Sequence, residues 1–215
     1  VTFDDARQKV EINVEKQDAE NGATVAGAGF GIYNAEDLVN DGGKIIVKAD
    51  TLLQEMTSDE NGNVTFTLDL PLGKYYVKEL KAPAGFVSSD EILNFDASYQ
   101  GQNTTVVSLK EVKKNQPTTV EITKSDITTG TELDGANMRV LDKEGNVIDE
   151  WTSVKDQPHV IKRLVVGEEY TLREEIAPYG YLKATDVKFR LEDTAEIQKV
   201  EMKDEVPMGL LIINK

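Results

Sequence analysis

Lys16 to Tyr33 aligns with Lys124 to Leu141 without a gap, placing Lys16, Gly22, Gly27 and Ala28 on Lys124, Gly130, Gly135 and Ala136. A second pair of segments, YYVKELKAPAGF at 75–86 and YTLREEIAPYGY at 170–181, shares Tyr75/Tyr170, Glu79/Glu174, Ala82-Pro83/Ala177-Pro178, Gly85/Gly180 and an aromatic residue at Phe86/Tyr181. An internal repeat of this length constrains the fold more than any single motif, because each copy has to form a unit with its own buried core. The 215 residues divide accordingly into a first module at 9–117 and a second at 118–207. The boundary pattern repeats too: Val1, Phe3 and Asp5 match Val200, Met202 and Asp204, and Asp5 precedes Lys16 by the 11 positions that separate Asp204 from Lys215. Residues 1–8 and 208–215 are therefore expected to be remnants of neighbouring modules in a longer array. The junction near Pro117 follows Lys113-Lys114-Asn115-Gln116 and leaves almost no linker, which favours a stiff connection.

Within each copy the apolar period is two. Val10, Ile12 and Val14 alternate with polar residues, as do Val64, Phe66, Leu68 and Leu70, and later Val120 and Ile122, the pattern of half-buried strands. Turn signals interrupt them at Glu60-Asn61-Gly62-Asn63, Pro71-Leu72-Gly73, Ala84-Gly85 and Lys143-Glu144-Gly145-Asn146. Only 34–40 and 49–56 could hold a helical turn. The expected class is all-β, two tandem antiparallel β-sandwich modules.

Composition narrows the partners. With 39 Asp+Glu against 24 Lys+Arg, a formal charge of −15 repels phosphate backbones and anionic headgroups, so neither nucleic acid nor membrane insertion is expected. The longest apolar run, Leu210 to Ile213, is far below the roughly 20 residues of a spanning helix. There is no cysteine and one histidine, His159, which excludes disulfides, thiolate metal sites and Cys-His or Ser-His catalysis. Asp59, Asn61 and Asn63 have a calcium-loop spacing but lack its glycine at position six and glutamate at position twelve, occupied by Val64 and Leu70; a hairpin turn is expected there. No metal and no cofactor is expected. His159 reads as a surface residue, Trp151 as core or rim packing, Tyr179 as an exposed turn residue, and Asp4-Asp5 and Glu168-Glu169 as solvated faces.

Three polar residues recur in order in the two copies: Lys16, Glu79 and Asn115, then Lys124, Glu174 and Asp204. Strand parity turns Glu79 to the face of Val77 and Glu174 to that of Leu172, while Lys16 follows Ile12 and Val14, and Lys124 follows Val120 and Ile122. An inward lysine and an inward glutamate can form a buried ion pair in which desolvation offsets most of the Coulomb attraction. Burial also lowers the lysine pKa and raises the carboxyl pKa, which leaves a nucleophilic amine beside a carboxylic acid. With the third residue as acceptor, that pair could make an intramolecular isopeptide bond: Lys-Asn with loss of ammonia, or Lys-Asp with loss of water.

The segment at 170–181 fits Y-x-L-x-E-x-x-A-P-x-G-Y throughout, and 75–86 departs from it only at Val77 and Phe86. Together with opening strands of the kind V-x-I-x-K, present as Val14-Glu15-Lys16 after Ile12 and as Val120-Glu121-Ile122-Thr123-Lys124, and the sequence Asn115-Gln116-Pro117-Thr118, the chain resembles two collagen-adhesin B-type (CnaB, or SpaA-like pilin) repeats of Gram-positive cell-wall-anchored surface proteins. The resemblance implies transthyretin-like or inverse-immunoglobulin sandwiches, with Glu79 and Glu174 catalysing cross-links of Lys16 to Asn115 and Lys124 to Asp204. It implies a stalk or shaft module outside the cell, a non-enzyme whose partners are the neighbouring modules of the same surface protein. Alternatives are a module recognising host extracellular matrix or glycan, and an accessory domain of a surface enzyme. Asp204 departs from the N-x-P-T pattern and Asn214 is a rival acceptor, but Asn214 has the wrong parity for the inward face of Lys215.

Overall fold

The computed structural model describes residues 7–40 and 42–209, and the chain divides into two compact units between Pro117 and Thr118. Strands of the first unit are β1 (Lys9–Asp18), β2 (Gly29–Asn34), β3 (Leu38–Val39), β4 (Ile45–Val47), β5 (Leu52–Thr57), β6 (Asn63–Thr65), β7 (Gly73–Lys81), β8 (Leu93–Ala97) and β9 (Val106–Asn115). They form the sheets β6-β1-β9 and β5-β2-β7-β8, with β3-β4 as a separate hairpin. The second unit contains β10 (Thr119–Asp126), β11 (Asn137–Leu141), β12 (Val147–Thr152), β13 (His159–Lys162), β14 (Glu169–Ile176), β15 (Val187–Arg190) and β16 (Gln198–Asp204). Its sheets are β13-β10-β16 and β12-β11-β14-β15.

Each unit is a sandwich because alternate residues of both sheets bury toward each other. In the first, Val10, Ile12 and Val14 of β1 meet Phe30 and Ile32 of β2, Tyr75 and Val77 of β7 and Phe95 of β8. In the second, Val120 and Ile122 of β10 meet Met138 and Val140 of β11, Leu172 of β14 and Met202 of β16. This double-sheet core is the all-β tandem architecture expected from the alternation.

Three local expectations are corrected. The sheets are not purely antiparallel: the first and last strand of each unit lie side by side in parallel, β1 with β9 and β10 with β16. The segments at 34–40 and 49–56 form no helix; Leu38–Val39 and Leu52–Thr57 are strands instead, because pairing of β5 with β2 outweighs weak local helix propensity. The turn at 59–63 is held by Asp59 Oδ1, which accepts from the N–H groups of Asn61 and Asn63 at 2.9 and 2.8 Å. It carries the chain from β5 in one sheet to β6 in the other and is not the loop of a paired hairpin. Lys143-Glu144-Gly145-Asn146, by contrast, does close a hairpin, β11 with β12.

Candidate cross-linking sites

The parallel ladders place the recurring residues. Lys16 pairs in register with Lys113 and Asp18 with Asn115; Lys124 pairs with Met202 and Asp126 with Asp204. Each acceptor therefore lies two residues beyond its lysine on the same inward face. The glutamates come from the opposite sheet, and each precedes a bulge. Phe30 faces Glu79 and Gly29 faces Lys81, so Leu80 is skipped; Met138 faces Glu174 and Asn137 faces Ile176, so Glu175 is skipped. A bulge re-aims the side chains beside it and ends the regular alternation.

In the first unit Lys16 is fully buried, with its Nζ donating to the carbonyl of Gln17 at 3.1 Å and standing 5.8 Å from the centre of the Phe86 ring. Burial lowers its pKa to about 8, with the nearby Lys113 charge adding to the effect and Glu79 opposing it. Burial raises the Glu79 pKa against the opposing influence of Asn115, Lys16, Lys113 and the Ser89 backbone. Asn115 Nδ2 donates to Glu79 Oε1 at 2.6 Å and to the carbonyl of Val87 at 2.8 Å. The glutamate is thus aimed at the amide nitrogen, the group that would leave as ammonia.

The second unit brings all three residues into contact. Lys124 Nζ donates to Asp204 Oδ1 and lies 3.1 Å from Glu174 Oε1, and all three side chains are buried. Glu174 Oε2 accepts from the N–H of Ala184 at 2.7 Å. The Asp204 pKa is raised, chiefly by burial and further by the adjoining Glu174 carboxyl, against the pull of Lys124. Tyr181 donates its hydroxyl to Asp126, which raises the tyrosine pKa; the corresponding Phe86 has no hydroxyl to offer.

Among the described residues, the buried side-chain polar atoms without a hydrogen bond are Glu79 Oε2, Asn115 Oδ1, Glu174 Oε1 and Asp204 Oδ2. All belong to these two clusters. The structure also shows a residue that the sequence reading passed over: Lys113, fully buried beside Lys16. Its spacing of two from Asn115 already placed it on the inward face, but it stands in a run of polar residues that reads as surface.

The remaining candidates resolve simply. No group of His, Cys, Asp and Glu suited to a metal occurs among the described residues. His159 is half-buried, not a free surface residue: its ring stacks on Trp151 at 4.0 Å and its Nε2 lies 2.8 Å from Asp149 Oδ2. Tyr179 is fully exposed. Glu168 and Glu169 form exposed ion pairs with Lys143, Lys188 and Arg190. Asp4, Asp5, Asn214 and Lys215, with the boundary register they define, lie outside the described residues.

Comparison with known proteins agrees with this architecture. No curated protein matches the chain. The Bacillus anthracis TIE protein is 28% identical over 92% of this chain, with a TM-score of 0.59, and the chain spans 34% of that protein's length. The C-terminal fragment of pilus adhesin SpaC from Lactobacillus rhamnosus GG shares the fold, with a TM-score of 0.55 at 14% identity, over 95% of this chain and 100% of that one. The family model described as SpaA, prealbumin-like fold domain, matches residues 10–113 and again 118–206, so the chain belongs to that family as two tandem domains.

Proposed function

We propose that the two domains are shaft or stalk modules of an extracellular, cell-wall-anchored adhesin or pilin, each locked by a self-made amide between its first and last strands. The observation that carries this reading is the convergence of lysine, glutamate and Asn or Asp in both domains, together with four buried oxygens that accept no hydrogen bond, one of which, Glu174 Oε1, lies 3.1 Å from Lys124 Nζ. An unsatisfied buried polar atom costs roughly 1–3 kcal/mol, and a pair of domains that leaves all of them at corresponding places has a chemical use for them.

In the first domain the neutral Lys16 amine attacks Cγ of Asn115. A bond forms from Nζ to Cγ, the bond from Cγ to Nδ2 breaks, and Glu79 relays the amine proton to the departing ammonia. In the second, a proton passes from the Lys124 ammonium to the Asp204 carboxylate, the neutral amine attacks Cγ of the resulting acid, and Glu174 relays an amine proton to the departing hydroxyl, which leaves as water. No outside substrate is consumed. Closing the loops between Lys16 and Asn115, 99 positions apart, and between Lys124 and Asp204, 80 positions apart, would stabilise each domain by about 4–5 kcal/mol if the loop-entropy treatment of disulfides carries over. Disulfides are absent, and this bond would supply the reinforcement.

Intact mass tests the reading. The chain is expected to weigh about 35 Da less than its sequence mass, one ammonia and one water, with peptide mapping joining Lys16 to Asn115 and Lys124 to Asp204. An unshifted mass leaves two buried polar clusters and no cross-link.

A further inference from the structure

Lys113 is fully buried, yet no step above uses it. Its ammonium donates to Ser89 Oγ at 2.8 Å, to the carbonyl of Glu91 at 2.8 Å and to Glu91 Oε2 at 3.1 Å. A buried lysine with three acceptors on one short segment fixes that segment firmly. The segment at 87–91 also supplies the Val87 carbonyl that holds the Asn115 amide at 2.8 Å, and its Ser89 backbone interacts with the Glu79 carboxyl. It therefore touches both the acceptor and the glutamate.

The second domain solves the same problem differently. Position 184, ten residues after Glu174 as Ser89 is ten after Glu79, gives its N–H to Glu174 Oε2 at 2.7 Å. The ladder partner of Lys124 is Met202, which is buried in the apolar core and offers no charge. There the segment is tied from outside: Asp186, which corresponds to Glu91, pairs with the half-exposed Arg173 on β14 at 2.7 Å. Lys16 and Lys113 face Glu79 and Glu91 where the acceptor is a neutral asparagine; Lys124 alone faces Glu174 and Asp204 where the acceptor is itself a carboxyl.

We propose that Lys113 is the positioning residue of the first cross-linking centre, clamping the segment at 87–91 so that Glu79 and the Asn115 amide are held in reacting geometry beside Lys16. This rests on the cross-link reading above. Lys113 also acts through its charge. Lys16 is faced by Glu79, Lys113 and Asp18, and Glu79 by Asn115, Lys16, Lys113 and the Ser89 backbone. In both cases the Lys113 charge lowers the pKa. The reactive pair holds one proton, so its rate against pH is a bell bounded by Glu79 below and Lys16 above. Removing the Lys113 charge moves both limbs to higher pH.

The full chain, synthesised into denaturant and diluted into buffers of graded pH, would be sampled over time by intact mass. Lys113→Met, the residue of the second domain, is expected to slow the ammonia loss by between about tenfold and 100-fold, the cost of a misplaced reacting group, and to move the bell upward, while the water loss of the second domain keeps its rate. Lys113→Arg is expected to return the bell to its wild-type position. The double variant Ser89→Ala, Glu91→Gln leaves the buried lysine in place, and it is expected to slow the ammonia loss even if Lys113→Met fails to fold. An unchanged rate in the double variant overturns the clamp, and a slowed Lys113→Met with an unmoved bell reduces Lys113 to packing. A wild-type chain that loses no ammonia fails earlier, at the cross-link reading itself.

Discussion

Asn115 stands opposite Asp18, two residues beyond Lys16, in the parallel ladder of the first domain; Asp204 stands opposite Asp126, two beyond Lys124, in the second. Two residues of strand span about 6.6 Å, close to the reach of an extended lysine side chain. A parallel pair keeps both residues on one face, so a lysine lying along the ladder arrives at the acceptor of the neighbouring strand. An antiparallel arrangement of first and last strands would put Lys16 and Asn115 at opposite ends. The parallel pairing is therefore the feature of the fold on which the proposed cross-link depends.

Changing the acceptor should change the leaving group without moving the bond. Asp204→Asn is expected to convert the second domain's loss from water to ammonia, a difference of about 1 Da from the chemistry of amide formation. Asp204→Ala should remove that loss while leaving the first domain's intact, and Asn214→Ala should change nothing. A peptide joining Lys124 to Asn214 would instead move the acceptor out of β16.

On the proposed cross-link, each glutamate is expected to serve only its own domain, because proton transfer requires hydrogen-bond distance. Glu79→Gln is expected to abolish the ammonia loss and retain the water loss; Glu174→Gln should do the reverse. Both variants should fold, since glutamine preserves volume and hydrogen-bonding capacity, but the altered domain should lose about 4–5 kcal/mol on the loop-entropy scale and melt at lower temperature. Persistence of the ammonia loss in Glu79→Gln would remove Glu79 from the mechanism.

The inward parity of Lys16, Glu79, Lys124 and Glu174 was legible because alternation in a strand is a local property. The partner of each strand was not. Nothing within Val10 to Val14 states that its neighbour is the last strand of the domain, running parallel, because long-range pairing is set by closure of the whole sandwich. The same limit explains the turn at 59–63, whose residues specify a tight reversal but not whether the strands on either side share a sheet. Lys113 was hidden for a different reason: a lysine in a polar run reads as solvated until a ring of acceptors is placed around it.

Gly62 couples this turn to the reacting strand. Its φ is +75°, its carbonyl accepts from the Lys16 N–H at 2.7 Å, and an added Cβ would stand 2.6 Å from the Lys16 carbonyl oxygen. Gly62→Ala is thus strained in backbone and in space, and a cost of about 1–3 kcal/mol is expected for the first domain. Because the clash falls on the nucleophile's own backbone, the ammonia loss should also slow, with the second domain as an internal control. Equal melting and equal reaction rate in Gly62→Ala would show that the turn yields freely.

The buried charges leave a pH signature in a chain that cannot close the first bond. In Asn115→Ala the Lys16 amine stays free, with a folded pKa of about 8 against an ordinary 10.5. Between those values the unfolded chain binds more protons than the folded one, so stability of the first domain should rise with pH, by about 3 kcal/mol at most. Glu79 has the opposite sign: its folded pKa is raised, so the folded state binds the extra proton just above the ordinary carboxyl range, and stability falls as pH rises through that window. The two together give a minimum between them, measurable by chemical denaturation across pH. A flat profile would mean that water reaches the centre and the burial is incomplete.

Mechanical loading distinguishes a shaft module from a sandwich that merely contains an ion pair. Force applied at the chain ends enters the first domain through β1 and leaves through β9, the strands that the Lys16–Asn115 amide would join. With the bond in place, the 98 residues between those positions are shielded and cannot be drawn out. Without it, as in Glu79→Gln, their extension at about 3.3–3.6 Å per residue should release roughly 30 nm of contour length in single-molecule pulling. The wild-type chain is therefore expected to show no step of that size from either domain, and each Glu→Gln variant one step from its own domain. A wild-type trace with two such steps would mean that load passes through hydrogen bonds alone, and the shaft reading would lose its mechanical basis.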